Sequence, residues 1–173
     1  MRITTGDLGD QRIVELVQVH VRTAHAQTAP GSAHALDSSG LQSPGIEFFA
    51  AWDGEELLGF GALNKLSPDH GEVKSMHVAQ SSRRRGAGTA LLTYLIGRAH
   101  EKGVRRLSLE TGSRDYFRPA HALYRKYGFV ECAPLGDYQP DRNSIFMTLD
   151  IGPSATPQAA IPILRLPNQS TQR

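Results

Sequence analysis

The sequence predicts a mixed α/β (α+β) fold: a mostly antiparallel central sheet of about six or seven strands with helices on both faces. Three observations carry that expectation. Short apolar runs around turns such as Asp53-Gly54 read as a hairpin meander in the first half. Apolar residues at helical spacing, flanked by strands, read as a βαβ unit in the second half. A chain of 173 residues, 39% hydrophobic and 21% charged, can bury one core without disulfides or a structural metal.

Taken in order, residues 2–5 read as a strand and residues 10–27 as a helix. Ile13, Leu16, Val17, Val21 and Ala24 recur on one helical face after a capping Gly9-Asp10. Residues 28–45 are rich in Pro, Gly, Ser and Ala, with helical potential only at 33–38. Strands follow at 46–52, 57–66 and 72–78. A strong helix is expected over 86–102, with Leu91, Leu92, Leu95, Ile96 and Ala99 on one face and Gly103 past its end. A strand centred on Leu107-Ser108-Leu109, a helix over 115–127 stopped by Gly128, and strands at 129–132 and 144–150 complete a domain of residues 1–150. Residues 151–173 carry four prolines and no acidic residue, and are expected to be an irregular tail.

Composition narrows the function. A net charge of +2 is too mild to suggest nucleic acid as a partner. No apolar run approaches the roughly 18 residues of a membrane span. Residues 1–7 lack the apolar segment of a secretory signal, so the cytoplasm is the expected compartment. Cys132, the sole cysteine, excludes an internal disulfide and a thiolate cluster, and the histidines show no ligand spacing, so no metal is expected.

The chemistry concentrates in Arg83-Arg84-Arg85-Gly86-Ala87-Gly88-Thr89, which joins a strand to a strong helix. Glycines let the backbone approach an anion closely, and the helix N-terminus adds partial positive charge. Beside three arginines this suggests a pyrophosphate cradle. It is not a Walker loop, which needs Gly-x-x-x-x-Gly-Lys-Ser/Thr. A Rossmann dinucleotide loop would want a third glycine where Leu91 stands, although Glu110, about 20 residues on, suits a ribose ligand.

The pattern Arg83-x-x-Gly86-x-Gly88 resembles the acyl-CoA pyrophosphate motif of the GNAT superfamily of N-acyltransferases. Ala120-x-x-Leu123-Tyr124-x-x-x-Gly128-Phe129 is similar to that family's later signature, and the order of elements agrees. Leu109-Glu110-Thr111-Gly112, Gly136-Asp137-Tyr138 and Ser144-Ile145-Phe146-Met147 further resemble a bacterial subgroup called YsnE-like.

The resemblance implies an acetyl-CoA-dependent N-acetyltransferase, moving acetyl directly to an amine held beside the donor. Glu72, eleven residues before Arg83, takes the place of the family's general base, its alternative being an ion pair with Lys74. Tyr124 takes the place of the general acid, since a phenol of ordinary pKa about 10 stays protonated and can donate. Met76, His77 and Val78 correspond to the strand end whose backbone holds the cofactor and faces the thioester oxygen. Arg83, Arg84, Arg85, Gly86, Ala87, Gly88 and Thr89 form the cradle. Phe117 stands where many members have a cofactor-contacting asparagine.

The acceptor, a small-molecule or peptide amine, would be walled by residues 33–49, 107–110 and 138–144, with Glu110, Tyr138 and Asp141 able to attract a cation. A homodimer is allowed. The rivals are a non-catalytic acyl-CoA sensor and a Rossmann-type oxidoreductase.

Overall fold

The structure is a computed structural model that describes residues 1–152; the expected tail lies, but for its first two residues, outside the described residues. Among the described residues seven strands form one sheet in the order β1-β2-β3-β4-β5-β7-β6. Strands β1 (Arg2–Thr5), β2 (Ile46–Asp53), β3 (Glu56–Ser67) and β4 (His70–Val78) make an antiparallel meander. Strand β5 (Arg106–Gly112) lies parallel to β4, and β7 (Ser144–Asp150) and the short β6 (Val130–Glu131) follow antiparallel. A doubly wound parallel sheet, which a Rossmann enzyme needs, is therefore not what this chain builds.

Helices cover both faces, as expected. On one face α1 (Gln11–Gln27), capped by the Asp10 side chain on Arg12 N–H, turns Ile13 and Val17 onto Phe48, Ala50, Trp52 and Phe60. On the other, α3 (Ala87–Glu101) lays Leu91, Leu92 and Leu95 on the sheet, each fully buried. Burial of each such leucine contributes about 1.5–3 kcal/mol. Helix α3 comes close because β3 presents glycines there. A Cβ on Gly61 would stand 3.0 Å from Leu95 Cδ1, and one on Gly59 would stand 3.3 Å from Leu91 Cδ1.

Boundaries differ from expectation where local hydrogen bonds decide. The short helix of the first loop is α2 (Ser38–Leu41), not 33–38, because Asp37 caps it by accepting from Gly40 N–H. The segment after β4 adds a 3₁₀ turn, Gln80–Ser82. The last helix begins as a 3₁₀ turn at Asp115–Phe117, with α4 proper over Arg118–Lys126. Strand β4 starts at His70 because that residue still pairs with both Ser67 and Arg106.

Two irregularities of β4 position the site. Its register with β5 runs only from His70↔Arg106 to Val73↔Leu109, after which the two strands part. Against β3 the register shifts between Phe60 and Ala62, and Ser75, in the interval, has φ +49°. This is a β-bulge, which bends the strand and re-aims its side chains.

Candidate active site

The parting of β4 from β5 leaves one edge of residues 74–78 without a strand partner among the described residues. The strand leads from a cavity at Glu72 to the glycine loop beyond Val78. In that loop Gly86, the N-cap of α3, has φ +84°, and a Cβ there would meet nothing within 4 Å. Among the described residues no side chain caps the helix, so its first-turn N–H groups can serve an external acceptor. Arg84, with φ +63°, extends this concave run of backbone, the kind of nest that binds anions. Gly88 lets the helix close on its neighbours: its Cβ would lie 3.3 Å from Leu123 Cδ2 and 3.6 Å from Val78 Cγ2. These features fit the pyrophosphate of a coenzyme A thioester.

The other expected cradle residues are distributed around this loop. Arg83 reaches over the ring of Tyr116, 5.9 Å from its centroid, and donates to its hydroxyl at 3.1 Å. Arg84 and Thr89 are exposed. Arg85 is turned away into ion pairs with Glu56 (2.8 Å) and Asp53 (3.0 Å), which hold its guanidinium protonated. Ala87 is buried in the core with Ala51, Leu58 and Leu91, so only its backbone is offered to a ligand.

Met76 and His77 diverge. Met76 lines the cavity, whereas the His77 ring packs against His20 at 4.9 Å and Phe60 at 5.8 Å. Burial, with Arg83 adding to it, lowers the His77 pKa to about 4, and burial beside His77 lowers that of His20 to about 3. Both rings are therefore neutral at physiological pH.

The cavity, about 120 Å³, lies under two loops. Residues 28–35 form one wall and Tyr138 another; Ile46 to Phe49, expected among the walls, belong to β2. Leu36 N–H bonds to the bulge residue through Ser75 Oγ at 3.1 Å. The two loops are tied together where Asn143 Nδ2 donates to Ser32 Oγ at 3.3 Å. Asp141 serves this tie, accepting from Asn143, so of the three expected cation-attracting residues only Glu110 and Tyr138 line the cavity.

At its floor Glu72, 2% exposed, is hydrogen-bonded through both oxygens. Its Oε2 accepts from Asn64 Nδ2 at 3.0 Å, and its Oε1 accepts from the Tyr138 hydroxyl at 2.6 Å. Lys74 Nζ donates to the same hydroxyl at 2.7 Å and lies 3.6 Å from Glu72. Burial and the neighbouring Glu72 push the Tyr138 phenol far above its ordinary range. Glu110, the next residue after the last β4–β5 pair, accepts from Ser144 Oγ at 2.7 Å, and burial raises its carboxyl above the usual carboxylate range.

Tyr124 lines the same cavity, 6% exposed, its phenol pushed up by burial and by Glu110. It is held by its neighbours: its ring lies 5.7 Å from that of Phe129, and His121, one turn earlier, bonds to the Gly112 carbonyl at 2.9 Å. Phe117 covers Gly112 so closely that no Cβ would fit there. Cys132 is half-buried, its thiol raised by burial, and is not among the residues lining the cavity.

Among the described residues no group of three or more His, Cys, Asp or Glu could hold a metal ion, and no helix is long and apolar enough to cross a membrane.

A strand that parts from its neighbour between a glycine loop and a cavity holding two carboxylates is the arrangement that the resemblance to acyl-CoA-dependent transferases implies. Residues 13–129 match the model of the Acetyltransferase (GNAT) family. The chain is 44% identical over 148 residues to the uncharacterized N-acetyltransferase YsnE of Bacillus subtilis (strain 168), covering 86% of this chain and 98% of that protein. To the uncharacterized N-acetyltransferase YedL of Escherichia coli (strain K12) it is 40% identical over 149 residues, 86% of this chain and 94% of that one. A solved aminoglycoside 6′-N-acetyltransferase complexed with coenzyme A shares the fold, with TM-score 0.64, 19% identity, and coverage of 87% of this chain and 97% of that one. The chain belongs to the GNAT acetyltransferase family and is an acetyl-CoA-dependent N-acetyltransferase.

Proposed function

We propose that the protein transfers acetyl from acetyl-CoA directly to a primary amine, a small-molecule or peptide acceptor, seated in the cavity at Glu72. What supports this best is the parting of β4 from β5 after Val73, which opens one strand edge between the cavity and the glycine loop. Acetyl-CoA, when bound, supplies the activated acetyl group. Backbone N–H groups of residues 86–89, with Arg83 and Arg84, would hold its phosphates, and the free edge from Met76 through His77 to Val78 would align the rest.

Tyr124 would give its proton to the departing thiolate, and a cavity carboxylate would take the proton that the ammonium must lose. Two carboxylates qualify by position: Glu72, the base expected from the sequence, and Glu110. Enclosure by the two tied loops would exclude water and favour aminolysis over hydrolysis. A cytoplasmic location goes with this function, and a homodimer is compatible with it.

Thiol release from acetyl-CoA across a panel of amines, with mass spectrometry of the products, tests the reading. Amine-dependent release with a product heavier by one acetyl group supports it. Tight acetyl-CoA binding with no turnover on any amine would instead favour an acyl-CoA sensor.

A further inference from the structure

The two cavity carboxylates are not equivalent. Glu72 has both oxygens occupied, by Asn64 and by the Tyr138 hydroxyl, with Lys74 alongside. An incoming ammonium would have to approach beside the Lys74 cation, 3.6 Å from that carboxylate, which repels it. Glu110 is built the other way. Ser144 satisfies one of its oxygens, and among the described residues no lysine or arginine forms an ion pair with it. It stands where β5 leaves β4, in the same cavity wall as Tyr124. A largely enclosed carboxylate with no cation of its own is costly unless a cation arrives or the group takes a proton. A base needs both properties.

Resting on the acetyl-transfer reading above, we infer that Glu110 receives the acceptor as an ammonium ion and takes its proton, and that the acceptor presents an unhindered primary amine. The charge inside the cavity agrees: Lys74 pairs with Glu72 and acts on Glu110 only from beyond ion-pair distance, so two carboxylates share one lysine. The space agrees as well, since about 120 Å³ has room for the amine-bearing end of an acceptor.

The groups facing Glu110 are His34 from the first loop, Glu72 and Lys74 from β4, Tyr124 from α4, Tyr138 from the second loop and Ser144 from β7. Burial raises the Glu110 carboxyl, toward the range in which a base works best near neutral pH. In the step itself Glu110 takes one proton from the ammonium and later releases it to solvent. The freed nitrogen then forms its bond to the acetyl carbon as the carbon–sulfur bond breaks. Tyr124 protonates the departing sulfur and is reprotonated by the second proton lost from nitrogen.

The test compares wild type, Glu110→Gln, Glu110→Asp and Glu72→Gln, with methylamine, n-butylamine and benzylamine as acceptors, by thiol release from saturating acetyl-CoA between pH 5 and 9. Acetyl-CoA affinity, measured separately, reports that each variant is folded. The expected result is acetylation of at least one amine at a rate that rises with pH. Near pH 7 Glu110→Gln should fall about 100-fold and then climb more steeply with pH than wild type, as free amine becomes available without the base, with acetyl-CoA affinity within about twofold of wild type. Glu110→Asp should lie between the two, and Glu72→Gln should keep the wild-type pH profile. The assignment is overturned if Glu110→Gln keeps the wild-type rate and pH profile, if Glu72→Gln alone shows the steeper profile, or if a wild-type chain that binds acetyl-CoA acetylates none of the three amines. A wild-type chain that fails to bind acetyl-CoA would instead overturn the acetyl-transfer reading, and this assignment with it.

Discussion

The hydroxyl of Tyr138 donates a 2.6 Å hydrogen bond to the buried carboxylate of Glu72, a residue 66 positions earlier in the chain. The same hydroxyl accepts from Lys74 at 2.7 Å, so one phenol links the floor of the cavity to the loop above it. Tyr138→Phe keeps the ring contacts with His34 and Phe146 but leaves a buried acceptor short of a donor. We expect it to cost about 1–3 kcal/mol of stability, read by denaturant unfolding. No measurable loss would mean that Lys74 or water replaces the hydroxyl.

Gly86 carries φ +84° in open space, so a side chain there is opposed by the backbone rather than by crowding. A β-branched residue is an outlier at that angle, and its substituent would stand where the backbone is proposed to hold the phosphates. Gly86→Val is expected to weaken acetyl-CoA at least about tenfold, roughly 1.4 kcal/mol. Calorimetric titration checks it, and unchanged affinity would mean that phosphate binding does not use this loop.

Tyr124→Phe conserves the packing against Phe129 and removes only the hydroxyl. Turnover should fall about 100-fold while acetyl-CoA affinity stays within about twofold, the division expected of a group that acts in the chemical step. A rate equal to wild type would remove the acid role from this residue.

Stability should depend on pH through three groups, two histidines of one sign and a carboxyl of the other. His20 and His77 are lowered to about 3 and about 4, so their contribution is present above the unfolded value near 6.5 and is lost as pH falls through that window. Replacing both by phenylalanine should flatten acid unfolding between about pH 6.5 and 3. Glu110 is raised, so its contribution is fully present below about pH 4.3 and is lost as pH rises through the folded value. Glu110→Gln should therefore be at least as stable as wild type near pH 8. A marked loss of stability there would contradict a half-buried carboxylate without an ion-pair partner among the described residues.

How much of this was legible in the sequence follows from the range of the interactions. The α3 leucines, the capping Asp10 and the turn at Asp53-Gly54 act within a few residues of themselves, and the elements they set stand where the patterns put them. The family resemblance rested on the loop at Gly86 and the helix at Tyr124, both local runs. The bulge at Ser75 has no such signature, because a serine does not announce a positive φ. Contacts between Tyr138 and Glu72, or between Asn143 and Ser32, join residues far apart in the chain, which only the folded sheet brings together. Glu110 and Tyr138 were recognisable as polar residues near the expected acceptor end, but Asp141 was not distinguishable from them until its bonds to Asn143 were seen. The orientation of Arg85 toward Asp53 and Glu56, away from the glycine loop, was equally invisible in a run of three arginines.

The measurement that bears most directly on the whole picture is calorimetric titration of the purified chain with acetyl-CoA, CoA and NADH. Micromolar binding of acetyl-CoA and CoA, weakened by Gly86→Val, with no binding of NADH, is the expected result. Failure of both coenzyme A species to bind, or binding of NADH in their place, would contradict it.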